Sequence, residues 1–152
     1  MLYESKMINN ELIIRDYKEE DFDQVSELWS LTGLGNPERG DNAETIKRTL
    51  ALGGKLLVIA SNSYGKIIGT SWMTCDGRRI LLHHFGILPD FQQKGLSKVL
   101  LEESLKFAKN MGMQVKLEVH SSNLKAINLY NKFGFKLLKD YCLYIIRDLS
   151  NL

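Results

Sequence analysis

The sequence predicts an α/β (α+β) fold: one mixed, mostly antiparallel sheet of about six to seven strands with helices on both faces. Three observations lead there. Residues 55–87 hold three successive apolar, β-branched runs separated by turn residues, the pattern of hairpin-linked antiparallel strands. Near the N-terminus, Phe22, Val25, Leu28 and Trp29 fall at helical spacing. Gln93 to Met111 carries a wide apolar stripe and is followed by an alternating run, Gln114 to His120, which makes a crossover helix feeding a parallel strand.

Taken in order, Leu12 to Arg15 reads as the first strand, and Glu19-Glu20-Asp21 opens the first helix. Residues 33–40 form a loop containing Gly-Asn-Pro. Ala43 to Leu52 is a second helix, stopped by Gly53-Gly54. Lys55 to Ser61 is a strand, Ser63-Tyr64-Gly65 a turn, and Lys66 to Thr74 the next strand. Asp76-Gly77 turns the chain back into Arg79 to Ile87. In the long helix Leu96, Leu100, Phe107 and Met111 face the sheet, and Gly112 ends it. Leu124 to Phe133 is a short helix closed by Gly134, and two strands, Phe135 to Leu138 and Cys142 to Arg147, finish the chain. No linker or repeat divides it, so residues 1–152 read as a single domain.

Composition narrows the class. Apolar residues make up 44% and charged residues 25%, an ordinary globular mix that needs no metal or disulfide to hold it. A net charge of +2 gives no case for nucleic acid. Cys75 and Cys142 lack metal-ligand spacing and read as reduced thiols, so no metal is expected and the chain reads as cytoplasmic. Met1 to Asn10 lacks an apolar targeting segment, and no stretch is long enough to span a bilayer, so no membrane partner is expected.

The most informative stretch is Ile87-Leu88-Pro89-Asp90-Phe91-Gln92-Gln93-Lys94-Gly95-Leu96-Ser97-Lys98, where a strand ends and the long helix begins. The first helical turn has unpaired N–H groups and the positive end of the helix dipole, an array suited to a pyrophosphate. Gly95 and the small Ser97 let an anion approach the backbone, and Lys94 and Lys98 add charge. The plain alternative is a strand-to-helix turn with Gly95 chosen for its backbone freedom. P-loop and dinucleotide-binding motifs are missing.

Gln92-x-x-Gly95-x-Ser97 resembles the Q/R-x-x-G-x-G/A acetyl-CoA signature of the GNAT superfamily of N-acetyltransferases, with Ser97 where Gly or Ala is usual. A second block, Leu117 to Phe135, resembles the family's later segment, in which Asn123, Ala126 and Tyr130 precede Gly134-Phe135. Its nearest likeness is to ribosomal-protein N-terminal acetyltransferases. The resemblance covers roughly Arg79 to Phe135. It implies a GNAT fold, acetyl-CoA as cosubstrate, and transfer of its acetyl group to a primary amine, of a small molecule or a peptide, by direct attack.

It also implies roles. Tyr130 would protonate the departing CoA thiolate, against a plain reading as a core aromatic beside Ile127 and Phe133. Asn123 and Asn128 would contact the cofactor, although Asn123 also reads as a helix cap and Asn128 as a solvent-facing side chain. Phe85, Gly86 and Ile87 would offer backbone groups to pantetheine and the thioester carbonyl, with Gly86 marking a bulge. Gln92, Gln93, Lys94, Gly95, Leu96, Ser97 and Lys98 would hold the pyrophosphate. The general base stays open among Glu118, His83 and water. Glu118 is the polar member of an apolar strand and matches a catalytic Glu of the resembled enzymes. His83 shares strand parity with Phe85 and Ile87, whereas His84 faces the other way. His120 ranks lower. Two other functions fit the sequence: a non-catalytic acyl-CoA-binding sensor or scaffold, and an assembly subunit acting through its N-terminal helices. The enzyme would work as a monomer or homodimer.

Overall fold

In a computed structural model, residues 5–62 and 65–150 are described. The predicted turn at Ser63 and Tyr64 lies outside them, as do Met1 to Glu4 of the N-terminal segment. The chain forms two compact units, residues 1–118 and 119–152.

The first unit holds one six-stranded sheet in the order β1-β2-β3-β4-β5-β6. The strands are β1 (Lys6–Met7), β2 (Leu12–Asp16), β3 (Lys55–Ser61), β4 (Ile67–Cys75), β5 (Arg79–Ile87) and β6 (Gln114–Leu117). All neighbours are antiparallel except β5 and β6, which the helix α3 (Leu96–Asn110) joins as a parallel crossover. α1 (Phe22–Thr32) and α2 (Ala43–Ala51) cover one face. There Val25, Leu28, Trp29 and Ile46 pack with Leu56, Val58, Ala60, Ile67 and Trp72. α3 covers the other face, where the Ser71 and Ser104 hydroxyls meet at 2.7 Å in a fully buried polar contact.

Local chemistry explains the entries to these elements. Arg15 holds Asp21 through two charge-assisted bonds of 2.7 and 2.8 Å, and Asp21 also accepts the Lys18 N–H at 2.8 Å, which shapes the 3-10 turn leading into α1. Asn42 caps α2 by accepting the Thr45 N–H at 2.9 Å. Asp76 accepts the N–H groups of Arg78 and Arg79 at 2.8 and 2.6 Å, closing the predicted Asp-Gly hairpin. β1 was not predicted: two residues carry no readable period, and its Lys6 reaches Glu103 of α3 at 2.7 Å.

The second unit holds α4 (Leu124–Lys132), capped by Asn123, whose side chain accepts the Ala126 N–H at 3.2 Å. The two expected final strands do not form in residues 135–150. Strand structure needs a paired ladder, and this run is apolar on both of its alternate sets. Leu143 and Ile145 are exposed, and so are Tyr144 and Ile146, so alternation selects no inner face. Among the described residues no helix is long and apolar enough to cross a membrane.

Candidate active site

The strand-to-helix turn is built by a short series of local bonds. The Leu88 N–H donates to the Ile68 carbonyl at 2.8 Å as β5 ends, Pro89–Phe91 makes one 3-10 turn, and Gln92 Nε2 donates back to the Ile87 carbonyl at 2.9 Å. Gln93 and Gly95 then take left-handed backbone conformations, at φ 60° and 77°. α3 therefore starts at Leu96, and the predicted start at Gln93 is corrected by these two residues. The Val99 N–H makes the first helical bond, to Gly95 O at 3.3 Å, so Leu96, Ser97 and Lys98 are the N–H groups that precede it.

Buried Leu96 anchors the turn, while Gln92, Gln93, Lys94, Gly95 and Lys98 are exposed. No acidic residue stands in the first turn of α3. A side chain at Gly95 would meet nothing within 4 Å, so the glycine is required by its φ and leaves open space beside the N–H groups. Room, dipole, N–H groups and lysines together fit a pyrophosphate.

The upstream strand departs from regular alternation. β5 and β4 pair Trp72 with His83 and Thr70 with Gly86, so Ser71 opposes two residues, His84 and Phe85. His84 takes φ 46°, a left-handed conformation that costs a side-chain-bearing residue roughly 1–2 kcal/mol. The bulge predicted from Gly86 is therefore present, but it reverses the parity argument. His83 and His84 share one side of the sheet, the α1 and α2 side, with ring centroids 4.6 and 5.0 Å from Trp72. Ile87 instead packs toward Gly69 and Ile59.

Four rings thus form one cluster. Trp29 and Trp72 stack at 5.3 Å, His84 lies 4.5 Å from Trp29, and the Nδ1 atoms of His83 and His84 are 2.8 Å apart. Trp29 Nε1 donates to Thr70 Oγ1 at 3.0 Å, and Thr70 Oγ1 donates to the His84 carbonyl at 2.8 Å, which holds the strained residue in place. His84 Nε2 lies 3.0 Å from Asp41 Oδ2. That pair is close enough for charge attraction but not aligned as a hydrogen bond. Burial first, and then the neighbouring His84, lower the His83 imidazole from 6.5 to about 4, against a smaller opposing pull from Asp41.

This shift has a consequence for stability. The folded protein refuses a proton that the unfolded chain accepts, so His83 stabilises the fold above pH 6.5, and that contribution is lost as the pH falls toward 4. At 1.36 kcal/mol per pH unit the loss is about 3 kcal/mol. His83→Gln should therefore lose less stability than wild type between pH 7 and pH 4, measured by urea unfolding at each pH. Equal losses in the two proteins would show that His83 titrates normally.

Glu118 is exposed and follows the last β5–β6 pair, Leu82 with Leu117, because the predicted strand to His120 ends at Leu117. β5 itself runs on through Phe85 and Gly86 to Ile87, beyond the end of that ladder. In the second unit Asn128 is exposed. Tyr130 is 8% exposed and packs edge-on to Phe135 at 5.6 Å. Burial pushes its phenol up to about 12, so it keeps its proton throughout the neutral range. His120 Nδ1 contacts Ser122 Oγ at 2.7 Å in an exposed turn. The structure thus gathers His83 and His84 on the strand that leads into the Gln92–Lys98 turn. Sequence reasoning missed Asp41 and set His84 aside. The only signal for His84 was the His-His pair just before Gly86.

An open cavity of about 540 Å³ lies elsewhere, lined by Tyr17, Phe22 and Leu50 with four carboxylates, Glu19, Glu20, Asp23 and Glu44, against one cation, Lys47. Its net negative wall disfavours phosphate. Among the described residues no group of three or more His, Cys, Asp or Glu could hold a metal ion.

A family model described as the acetyltransferase (GNAT) family matches residues 17–135. Solved structures of similar shape include an acetyltransferase from Streptococcus agalactiae, 18% identical, with a TM-score of 0.78 over 92% of this chain and 94% of that one. The ribosomal-protein-S18-alanine N-acetyltransferase from Escherichia coli is 21% identical, with a TM-score of 0.69 over 82% and 77%. The aminoglycoside N-acetyltransferase AAC(6')-Iy in complex with CoA is 18% identical, with a TM-score of 0.70 over 94% and 100%.

Proposed function

The chain belongs to the acetyltransferase (GNAT) family, and from that premise we propose that it moves the acetyl group of acetyl-CoA directly to a primary amine. The observation that carries this reading is the Gln92–Lys98 turn. A helix N-terminus free of acidic side chains, with open space at Gly95 and Lys94 and Lys98 beside it, suits the pyrophosphate of CoA. The family match crosses from the first compact unit into the second, which supports reading residues 1–152 as one acetyltransferase domain.

Bound acetyl-CoA would supply an activated thioester. The chain's own residues would do the rest. The backbone of Phe85, Gly86 and Ile87 would hold pantetheine and polarise the carbonyl, and Tyr130 would give its retained proton to the leaving sulfur. Asn123 would join the cofactor site while capping α4, and Asn128 would add a contact from the same helix. A base would accept the amine proton. His83 has the support of a neutral, half-buried imidazole on β5, and Glu118 has the support of its exposed position past β6. The acceptor is a small-molecule amine or the amine of a peptide. The likeness to the S18-alanine enzyme keeps the peptide class in view. Free Cys75 and Cys142 support a reducing, cytoplasmic setting.

Calorimetry on metal-stripped protein tests the reading directly. Acetyl-CoA is expected to bind without added metal, and a screen over peptides, polyamines, amino acids and aminoglycosides should then release CoA with one class. No heat of binding at millimolar acetyl-CoA would end the proposal. Binding without acetyl loss to any acceptor would favour a non-catalytic CoA-binding module.

A further inference from the structure

We infer that Lys66 and Lys94, seated on the ring of Phe91, form a subsite for the phosphate monoester on the ribose of CoA, and that Lys66 lets the protein tell CoA from dephospho-CoA. The inference rests on the acetyl-transfer reading and deepens it by assigning a second anion-binding position, outside the first turn of α3.

The two lysines come from separate parts of the chain. Lys66 immediately precedes β4, and Lys94 lies in the Gln92–Lys98 turn. Their Nζ atoms stand 5.6 and 5.4 Å from the centroid of the Phe91 ring, within the range of cation–π attraction. Phe91 is half-buried at the end of its 3-10 turn, which anchors the ring. Backbone bonds set the meeting. The Leu88 N–H donates to the Ile68 carbonyl at 2.8 Å, and the Phe91 N–H donates to the Leu88 carbonyl at 2.9 Å, so the Phe91 turn is tied to the start of β4.

Lys66 is also held from α1. Gln24 reaches the turn with both ends of its amide: Nε2 donates to the Gly65 carbonyl at 3.3 Å, and Oε1 accepts the Ile67 N–H at 3.0 Å. The Ser61 N–H donates to the Lys66 carbonyl at 2.9 Å. The backbone on either side of Lys66 is thus fixed by another element, although the side chain itself is exposed. A pinned turn has less freedom to lose when its lysine orders around a ligand.

What the pair lacks is an anion. Glu27 lines a small cavity with Lys66, and Asp90 precedes Phe91, yet among the described residues no ion pair joins either lysine to a carboxylate. The ring attracts each cation but neutralises neither, so two like charges share one platform at a cost that an anion would relieve. Charge then chooses among the phosphates of CoA. The singly charged phosphates of the pyrophosphate suit the N–H groups of Leu96, Ser97 and Lys98. A phosphate monoester carries about −1.5 to −2 at pH 7 and suits two ammonium groups. The Phe91 platform precedes α3, so it adds a position rather than duplicating the helix terminus.

Calorimetry of CoA and of dephospho-CoA against wild type, Lys66→Gln and Lys66→Arg tests this without any turnover. Wild type should bind CoA roughly tenfold more tightly than dephospho-CoA, and added salt should shrink the difference. Lys66→Gln should weaken CoA by roughly fivefold and leave dephospho-CoA unchanged, while Lys66→Arg should keep most of the discrimination. Equal affinity of wild type for the two ligands would overturn the inference, and so would full discrimination in Lys66→Gln. Equal weakening of both ligands by Lys66→Gln would put Lys66 at the pyrophosphate and overturn it too. Each of these three results leaves the acetyl-transfer reading standing. Wild-type protein that binds neither ligand removes that reading, and the inference with it.

Discussion

Replacing Gly95 with Glu is expected to abolish acetyl-CoA binding while leaving the protein folded. The left-handed φ of 77° at this position costs a substituted residue roughly 1–2 kcal/mol. The larger effect is charge. A carboxylate about 5 Å from one phosphate charge, at an effective dielectric of about 20, opposes binding by roughly 3 kcal/mol. That is more than a hundredfold in Kd. Gly95→Ala separates the two effects, because its methyl group meets nothing within 4 Å and adds no charge. Alanine should therefore weaken binding only slightly. Calorimetry gives the affinities, and circular dichroism checks the fold. A folded Gly95→Glu protein with wild-type affinity would show that the pyrophosphate binds elsewhere.

Tyr130→Phe should cut turnover by roughly a hundredfold or more, the scale for losing a positioned general acid. The substitution keeps the ring that packs on Phe135, so stability and acetyl-CoA affinity should change little. The pH dependence sharpens the test. Burial raises the Tyr130 phenol from 10 to about 12, so its ionisation produces no falling limb in the rate profile below that range. Any limb below that range belongs to another group. Glu118→Gln and His83→Ala locate it, since only the variant that loses the true base should move the rising limb. Steady-state kinetics with an acceptor from the screen measures all three. Wild-type turnover in Tyr130→Phe would remove the acid role from this residue.

Much of the architecture was legible because it is local. Arg79–Ile87 and Lys55–Ser61 were read at their observed limits, since apolar runs bounded by Asp-Gly and Gly-Gly state both period and ends. The stripe through Leu96 and Leu100 announced α3, and Gly95 announced its start better than the helical period did. Asn123 was readable as a cap, and it caps α4. The Gln92–Lys98 turn was legible for the same reason: its glycine, small residue and lysines are neighbours in the chain.

Other features depend on partners distant in sequence, and the tertiary structure alone decided them. Strand alternation assigns His83 and His84 to opposite faces. The offset between Thr70 and Trp72 adds a residue to β5, turns His84 to a positive φ, and puts both rings on one side. No single-strand pattern contains that offset, because a bulge is a mismatch between two strands. Asp41 looked like a loop residue until the fold brought it beside His84. The run from Phe135 to Arg147 has the composition of strands, yet composition supplies no ladder partner. The sequence by itself determined strands β2 to β6, the crossover helix and the Gln92–Lys98 turn. Which imidazoles and which carboxylate meet was decided by pairing register, since contacts across a sheet are set by the neighbouring strand.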